Sequence, residues 1–338
     1  MTRIRVLGAG IIGLSVADEL ARRGHRVQIV DPAPGSGASY AAAGMLSPGG
    51  EFWHGEEELT RLGRESLALW PEYAARLGVP LHTGGTVLAG VDAADAQQVD
   101  RHLAALTDAG VPATPLSRAD LRDREPCLGR VTRGAWLPDE RSVDPRQVLA
   151  ALLSRHQVQP SAAGEVDTTV VATGATLPAP FPHLVRGVRG EIIRVRSDDP
   201  PRGTVRGWVR GQPVYLVPRR PRDGTAEVVI GATSEEHDAA AEVTVEGVRR
   251  LLEAAGELAP GLDRATFVEA IARDRPGTPD NLPLIGPSGR PDVLLAAGHY
   301  RHGVLLAPLT ARLIADHVDR GVLEPAVDPQ RFETPGAA

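Results

Sequence analysis

"RIRVLGAGIIGLSVADELARRGHRVQIVD", Arg3 to Asp31, is the stretch whose reading decides the fold. Arg3 to Leu7 reads as a short buried strand, and "GAGIIG" follows with Gly8, Gly10 and Gly13 in GxGxxG spacing. Apolar periodicity predicts a helix from Ile11 to about Arg23, with Leu14, Ala17 and Ala21 on its packed face and Gly24 as its stop. "RVQIV" predicts a second strand finishing at Asp31, where an acidic residue can hydrogen-bond a ribose hydroxyl. The glycines allow a tight turn and the close approach of a pyrophosphate, whose charge then faces the helix amino terminus. Glycine spacing alone is a weak signal. With strand, helix, second strand and terminal acid in register, dinucleotide binding is the expectation; the alternative is a parallel βαβ unit whose glycines serve packing only.

Working outward, "GSGASYAAAGMLSPGGE", Gly35 to Glu51, is too rich in small residues for an ordinary surface helix and begins where it can line an extended cofactor. "TTVVATGAT" gives a further hydrophobic strand that ends in a glycine turn at Gly174. "ESLALWPEYAARLG" and "DAADAQQVDRHLAALTDAG" read as amphipathic helices, followed by a proline-punctuated stretch from Val111 to Pro126. Asp144 is the expected N-cap of a helix beginning at Pro145. Beyond Thr176, "GEIIRVR", "PVYLVPRR" and "AEVVIGAT" alternate as an antiparallel sheet would, and a helix is expected from Val245 to about Ala255, stopped by Gly256.

Composition excludes several classes of function. The 338 residues carry a net charge of -6 without a basic stripe, which argues against a nucleic-acid partner. There is no lysine, which removes Schiff-base chemistry and the P-loop lysine together. A single cysteine, Cys127, rules out an internal disulfide framework and a multi-cysteine metal site, and it suits a reducing cytoplasm. The histidines show no metal-ligand spacing, so no metal is expected. No segment is apolar enough for a bilayer span, and the signal-peptide-like start breaks at Asp18 and Glu19.

"GAGIIG", "AAAGML", "VVATGA", "VRGEIIRV", "VYLVPR", "RPGTPDNLPLIGP" and "GHYRHGVLLAP", in this order, resemble the glycine oxidase branch of the D-amino-acid oxidase family of flavoproteins, from about Arg3 to Val318. The resemblance implies an α/β fold, α+β overall: a Rossmann-like FAD-binding domain (1–78, 140–180 and 268–330) interleaved with an antiparallel-sheet substrate domain (79–139 and 181–267). It implies non-covalent FAD held by Ile11, Ile12, Asp31, Pro32, Ala38, Ser39, Ala43, Gly44 and Met45, by Gly174, and by the run Gly298, His299, Tyr300, Arg301, His302, Gly303, Val304 and Leu305. Arg275 matches the arginine that clamps the substrate carboxylate, Tyr215 a tyrosine whose hydroxyl assists, and Arg301 a second substrate-side arginine. Glycine, sarcosine or small D-amino acids would pass a hydride to the flavin and oxygen would become hydrogen peroxide, in a chain of reactions that often serves thiamine thiazole synthesis. Related enzymes form dimers or tetramers, so a cytoplasmic homo-oligomer is expected.

Blander readings stand beside these. Arg275 in the turn-rich "RPGTPDN" could tie down a loop, Tyr215 could be an edge aromatic, and His299 and His302 read as structural polar residues. The chain also departs from the family: "QVQPSAAGEVD" is short before Thr168, Ser234 stands where a bulkier apolar residue can occur, and Asp274 beside the clamp is expected to pair with Arg273. Ser234 would favour the main rival, a D-amino-acid oxidase of broader range. A flavin-binding scaffold without turnover and a quinone-linked amine dehydrogenase are further alternatives.

Overall fold

The computed structural model describes residues 1–219, 225–236 and 239–332. β1 (Arg3–Leu7), α1 (Ile11–Arg22) and β2 (Arg26–Val30) follow the expected order within a residue. β1 pairs in parallel with β2 on one side and with Thr168–Val171 on the other. The full sheet adds Val158–Gln159 outside β2, with Val293–Ala297 and Leu284–Pro287 on the far side. α1 and the carboxy-terminal helix Gly303–Arg320 cover one face, where Ile4, Val6, Leu14, Leu20, Leu306, Leu309 and Ile314 make one core with Trp70 and Tyr73. A parallel sheet needs such cover, because its strands are apolar on both faces.

Two local expectations need correction here, and one stretch gains elements. Ala21 is exposed, because α1 is at its last turn there and its packed face instead holds Asp18 and Glu19, each ion-paired with arginine. The proline-punctuated stretch from Val111 to Pro126, left without elements above, holds the strand Thr114–Leu116 and the helix Arg118–Arg124, which Ser117 and Asp120 cap reciprocally. The helix from Val245 runs to Leu258, past Gly256, where a Cβ would come within 2.3 Å of Asp263 Oδ1. That glycine permits close packing rather than ending the helix.

The second sheet has eight strands, with Thr266–Gly277 at one edge beside Arg186–Ser197, then Ala226–Gly231, Gln212–Pro218, Thr204–Val209, Thr86–Gly90, Arg133–Leu137 and Thr114–Leu116. All its pairings are antiparallel except Thr204–Val209 with Thr86–Gly90, which lie parallel. Arg220, at the end of "PVYLVPRR", lies outside the described residues. We propose to divide the chain by sheet, so that residues up to 277 stay with the substrate side instead of changing at 268, because Thr266–Gly277 pairs along its length with Arg186–Ser197. Among the described residues no helix is long and apolar enough to cross a membrane.

Candidate active site

At the carboxyl end of β1 the chain turns at Gly8, which has a φ of +101° and whose N–H donates to Val30 O at 2.9 Å. A Cβ at Gly8 would stand 2.3 Å from Ala172 O, and one at Gly13 would stand 2.0 Å from Gly8 O, so the packing itself demands both glycines. Gly10 differs. Its backbone is extended, and a Cβ there would meet only Ser39 Oγ, at 3.3 Å. The space it leaves open is a cleft of about 700 Å³, within the range of ligand sites.

Asp31 faces that cleft from just beyond β2. Its Oδ2 accepts the Ala9 N–H at 2.6 Å and its Oδ1 the Ala33 N–H at 2.7 Å, and each oxygen keeps a lone pair for a sugar hydroxyl. Ser39 Oγ accepts from Ile11 N at 3.0 Å, at the positive end of α1. Gly174, with a φ of +72°, leaves open space opposite.

The positions expected against the cofactor are brought together here, with three exceptions. Gly8, Gly10, Ile11, Ile12, Asp31, Pro32, Ala38, Ser39, Ala43, Gly44, Met45, Gly174, His299, Tyr300, Arg301, His302, Gly303 and Val304 line the cleft, and so do Tyr215 and Arg275. Gly13 lies beneath the turn. Gly298 is folded against the protein, where a Cβ would stand 2.4 Å from Thr278 Cγ2, so it does not open the way for a ligand. Leu305 is buried in the core, its carbonyl accepting from Ser66 Oγ at 2.6 Å and Trp70 Nε1 at 2.9 Å.

The other end of the cleft is built of side chains. Arg275 lies in the edge strand Thr266–Gly277 rather than in a loop, and its guanidinium crosses Gly190, where a Cβ would fall 2.2 Å from Nη1. Nη1 donates to Arg189 O at 3.3 Å and Thr233 O at 3.2 Å, and no carboxylate among the described residues is paired with it. Tyr215 stacks its ring over Gly231 on the neighbouring strand. Burial pushes its hydroxyl pKa up, so it stays protonated as a donor. Asp274 bonds Arg189 Nε at 2.5 Å and not Arg273, whose Nε reaches Ser36 O at 2.8 Å. Neighbours on a strand point to opposite faces, which separates them.

His299 and His302 are buried at the amino end of the final helix. Burial, with His302 beside it, pushes His299 down to about 3, and its Nε2 meets Thr310 Oγ1 at 2.8 Å. Burial likewise lowers His302. Tyr300 holds a φ of +47°, and Arg301 lies over its ring at 4.9 Å.

Sequence reasoning missed Arg206 and left Glu51 without a role. Arg206 enters from the strand Thr204–Val209, which carried no motif, and its Nη1 meets Glu51 Oε1 at 2.5 Å and Met45 Sδ at 4.0 Å. Trp53, Trp208, Pro213 and Ser234 also line the cleft. Alternation in "TVRGWV" was the signal available for Arg206. Cys127 is buried in the core of the second sheet, where burial pushes its thiol up to about 12, and it does not line the cleft.

This geometry fits FAD. Asp31 would take the ribose, the open space at Gly10 and Gly174 would admit the pyrophosphate, and the apolar wall of Ala43, Gly44 and Met45 would face the ring. The family model described as FAD dependent oxidoreductase matches residues 3–317. The glycine oxidase of Geobacillus kaustophilus is 32% identical over 94% of this chain and 93% of its own length. A bifunctional protein ThiO/ThiG of Trichormus variabilis is 33% identical over 94% of this chain and 53% of its own length, so the chain spans about half of that relative. The crystal structure of glycine oxidase from Geobacillus kaustophilus superposes with a TM-score of 0.84 at 30% identity, covering 97% of each chain. On this match and this cleft, the chain belongs to the D-amino-acid oxidase family of FAD-dependent oxidoreductases, with FAD as its cofactor.

Proposed function

We propose that the protein oxidises glycine, sarcosine or small D-amino acids to the imino acid, which water converts to the 2-oxo acid and ammonia. The observation that carries this reading is Arg275, a guanidinium presented to the cleft beside Tyr215 with only backbone carbonyls as hydrogen-bond partners among the described residues. Its fork would bind a carboxylate bidentately and so fix the α-carbon. The Tyr215 hydroxyl, held protonated by burial, would donate to the same carboxylate, and Arg301 would add a second positive charge. The amino end of Gly303–Arg320 would stabilise negative charge nearby. Bound FAD supplies the hydride acceptor and, on reoxidation by oxygen, the hydrogen peroxide.

The name of a Rhizobium etli relative, "Putative thiamine biosynthesis oxidoreductase ThiO", supports a place in thiamine biosynthesis, where the family resemblance points to the thiazole. A homo-oligomer of two or four copies and a cytoplasmic location belong to the same proposal; sedimentation and cell fractionation test them. The activity is tested by anaerobic titration with glycine, D-alanine and D-proline, followed by air and a peroxide assay. Bleaching of the flavin by glycine, with peroxide on reoxidation, is the expected result. Bleaching by the larger D-amino acids alone would transfer the assignment to the broader oxidase, and bleaching without peroxide would point to another electron acceptor.

A further inference from the structure

We propose that Glu51 is the anionic partner of the substrate nitrogen, accepting its N–H hydrogen bond and offsetting the positive charge that develops there as the amine becomes an imine. The proposal rests on amino-acid oxidation as the function of the cleft. Glu51 closes the small-residue stretch that begins at Gly35, and its side chain is only 11% exposed. Arg206 holds Oε1, whereas Oε2 is buried with no hydrogen-bond partner, and His302 Nε2, at 3.9 Å, is too far to donate to it. A buried carboxylate oxygen without a donor is costly unless something else supplies one.

The charge pattern says what that donor is. Among the described residues lining the cleft, the carboxylates are Asp31 and Glu51, and Asp31 is committed to two backbone N–H groups at the dinucleotide end. The cations are Arg206, Arg273, Arg275 and Arg301. A substrate clamped through its carboxylate therefore has its nitrogen among arginines, with Glu51 as the single anion at that end. During oxidation the Cα–H bond leaves as hydride to FAD and the nitrogen lone pair closes the C=N bond, so the nitrogen becomes cationic while Glu51 remains a carboxylate. A fixed anion aimed at developing charge acts on the transition state more than on the bound substrate. Burial opposes ionisation of Glu51, and Arg206 first, with His302 and Arg301, overcomes that and holds its pKa below the ordinary value.

The groups facing Glu51 are Arg206 from the strand Thr204–Val209, His302 and Arg301 from the turn before the last helix, and Tyr215 from Gln212–Pro218. Behind it, Glu140 accepts from the Gly50 N–H. The test uses FAD-loaded protein, glycine as substrate, and acetate as a probe that has the carboxylate without the nitrogen. Glu51→Gln is expected to slow flavin reduction by saturating glycine about 100-fold, with the acetate Kd changed by less than about threefold. Reduction within about threefold of the unaltered protein, or equal losses of glycine and acetate affinity, would overturn the proposal. Should Glu51→Gln not fold, Arg206→Gln decides: loss of its cation raises the Glu51 pKa, so the acid limb of the reduction rate must move to higher pH, and an unmoved limb refutes the role. If no amino acid reduces the unaltered protein, the functional reading itself fails and this inference with it.

Discussion

The two ends of the cleft are made in different ways. At the dinucleotide end the partners are backbone: the turn at Gly8, the N–H groups of Ala9 and Ala33 on Asp31, and the amino terminus of α1. At the substrate end they are side chains: Arg275 from one edge of the eight-stranded sheet, Tyr215 from its middle, Arg206 from the next strand, and Glu51 and Arg301 from outside it. A single βαβ unit of about thirty residues builds the first; chain segments some 250 residues apart build the second. The first end should therefore break through backbone strain, and the second through loss of one charge.

Gly8→Ala is the strongest test of that contrast. The new Cβ would lie 2.3 Å from the Ala172 carbonyl at a φ of +101°, and strain and overpacking together should cost at least ~4 kcal/mol. Thermal melts should show the FAD-free protein itself destabilised; a melting temperature within a degree or two of the parent would show that the turn yields. Arg275→Met is next, and it should leave the fold alone. The KM for glycine should rise at least ~100-fold, near 3 kcal/mol, with the flavin spectrum preserved. An unchanged KM would reduce Arg275 to a brace for Arg189 and Thr233.

The same contrast explains what could be read from the chain. Strand, glycine turn, helix and Asp31 were legible because they follow one another in the chain, and spacing alone encodes their order. Tyr215 and Arg275 were found through resemblance to a family; their positions beside Gly231 and Gly190 depend on cross-strand register, which one sequence does not display. Arg206 sat in an unremarked strand, and its pairing with Glu51 spans 155 positions. Gly298 was expected against FAD through the same resemblance, whereas its left-handed φ and the Thr278 methyl give it a part in packing. Gly256 misled as a helix stop where Asp263 needs close approach.

Acid should distinguish the two halves as well. Asp18 on α1 is desolvated, yet its bonds to His156 and Arg76 bring its pKa down to about 2. A carboxylate lowered in the folded state stabilises fully above its unfolded pKa of ~3.8 and loses that contribution as pH falls toward 2, a change of about 2 kcal/mol. Glu125, on the second sheet's side, is shifted the other way: burial raises it despite the N–H groups of Arg202 and Gly203, so protonation does not cost that side stability on its account. Between pH 5 and 2, amide exchange should accelerate in α1 before it does in Thr86–Gly90. Asp18→Asn should flatten the acid limb of urea unfolding; a limb as steep as the parent's would show that other carboxylates set it.

The smallest effect on the fold separates a glycine required by the protein from one required by its ligand. Gly10 and Gly8 lie two residues apart in one motif, but an alanine at Gly10 keeps an ordinary extended backbone and meets only the hydroxyl of Ser39, which can rotate. Gly10→Ala should therefore cost the FAD-free protein less than ~1 kcal/mol, about what an N-cap glycine contributes over alanine. Its Cβ would nevertheless occupy the space through which the pyrophosphate approaches the helix amino terminus, so FAD affinity should fall about tenfold, near 1.4 kcal/mol. Calorimetric titration of the FAD-free variant reads both quantities, affinity directly and stability from the melt. If Gly10→Ala destabilises the empty protein as much as Gly8→Ala does, both glycines serve the turn, and the space beside Gly10 is a by-product of packing instead of the entry point for the pyrophosphate.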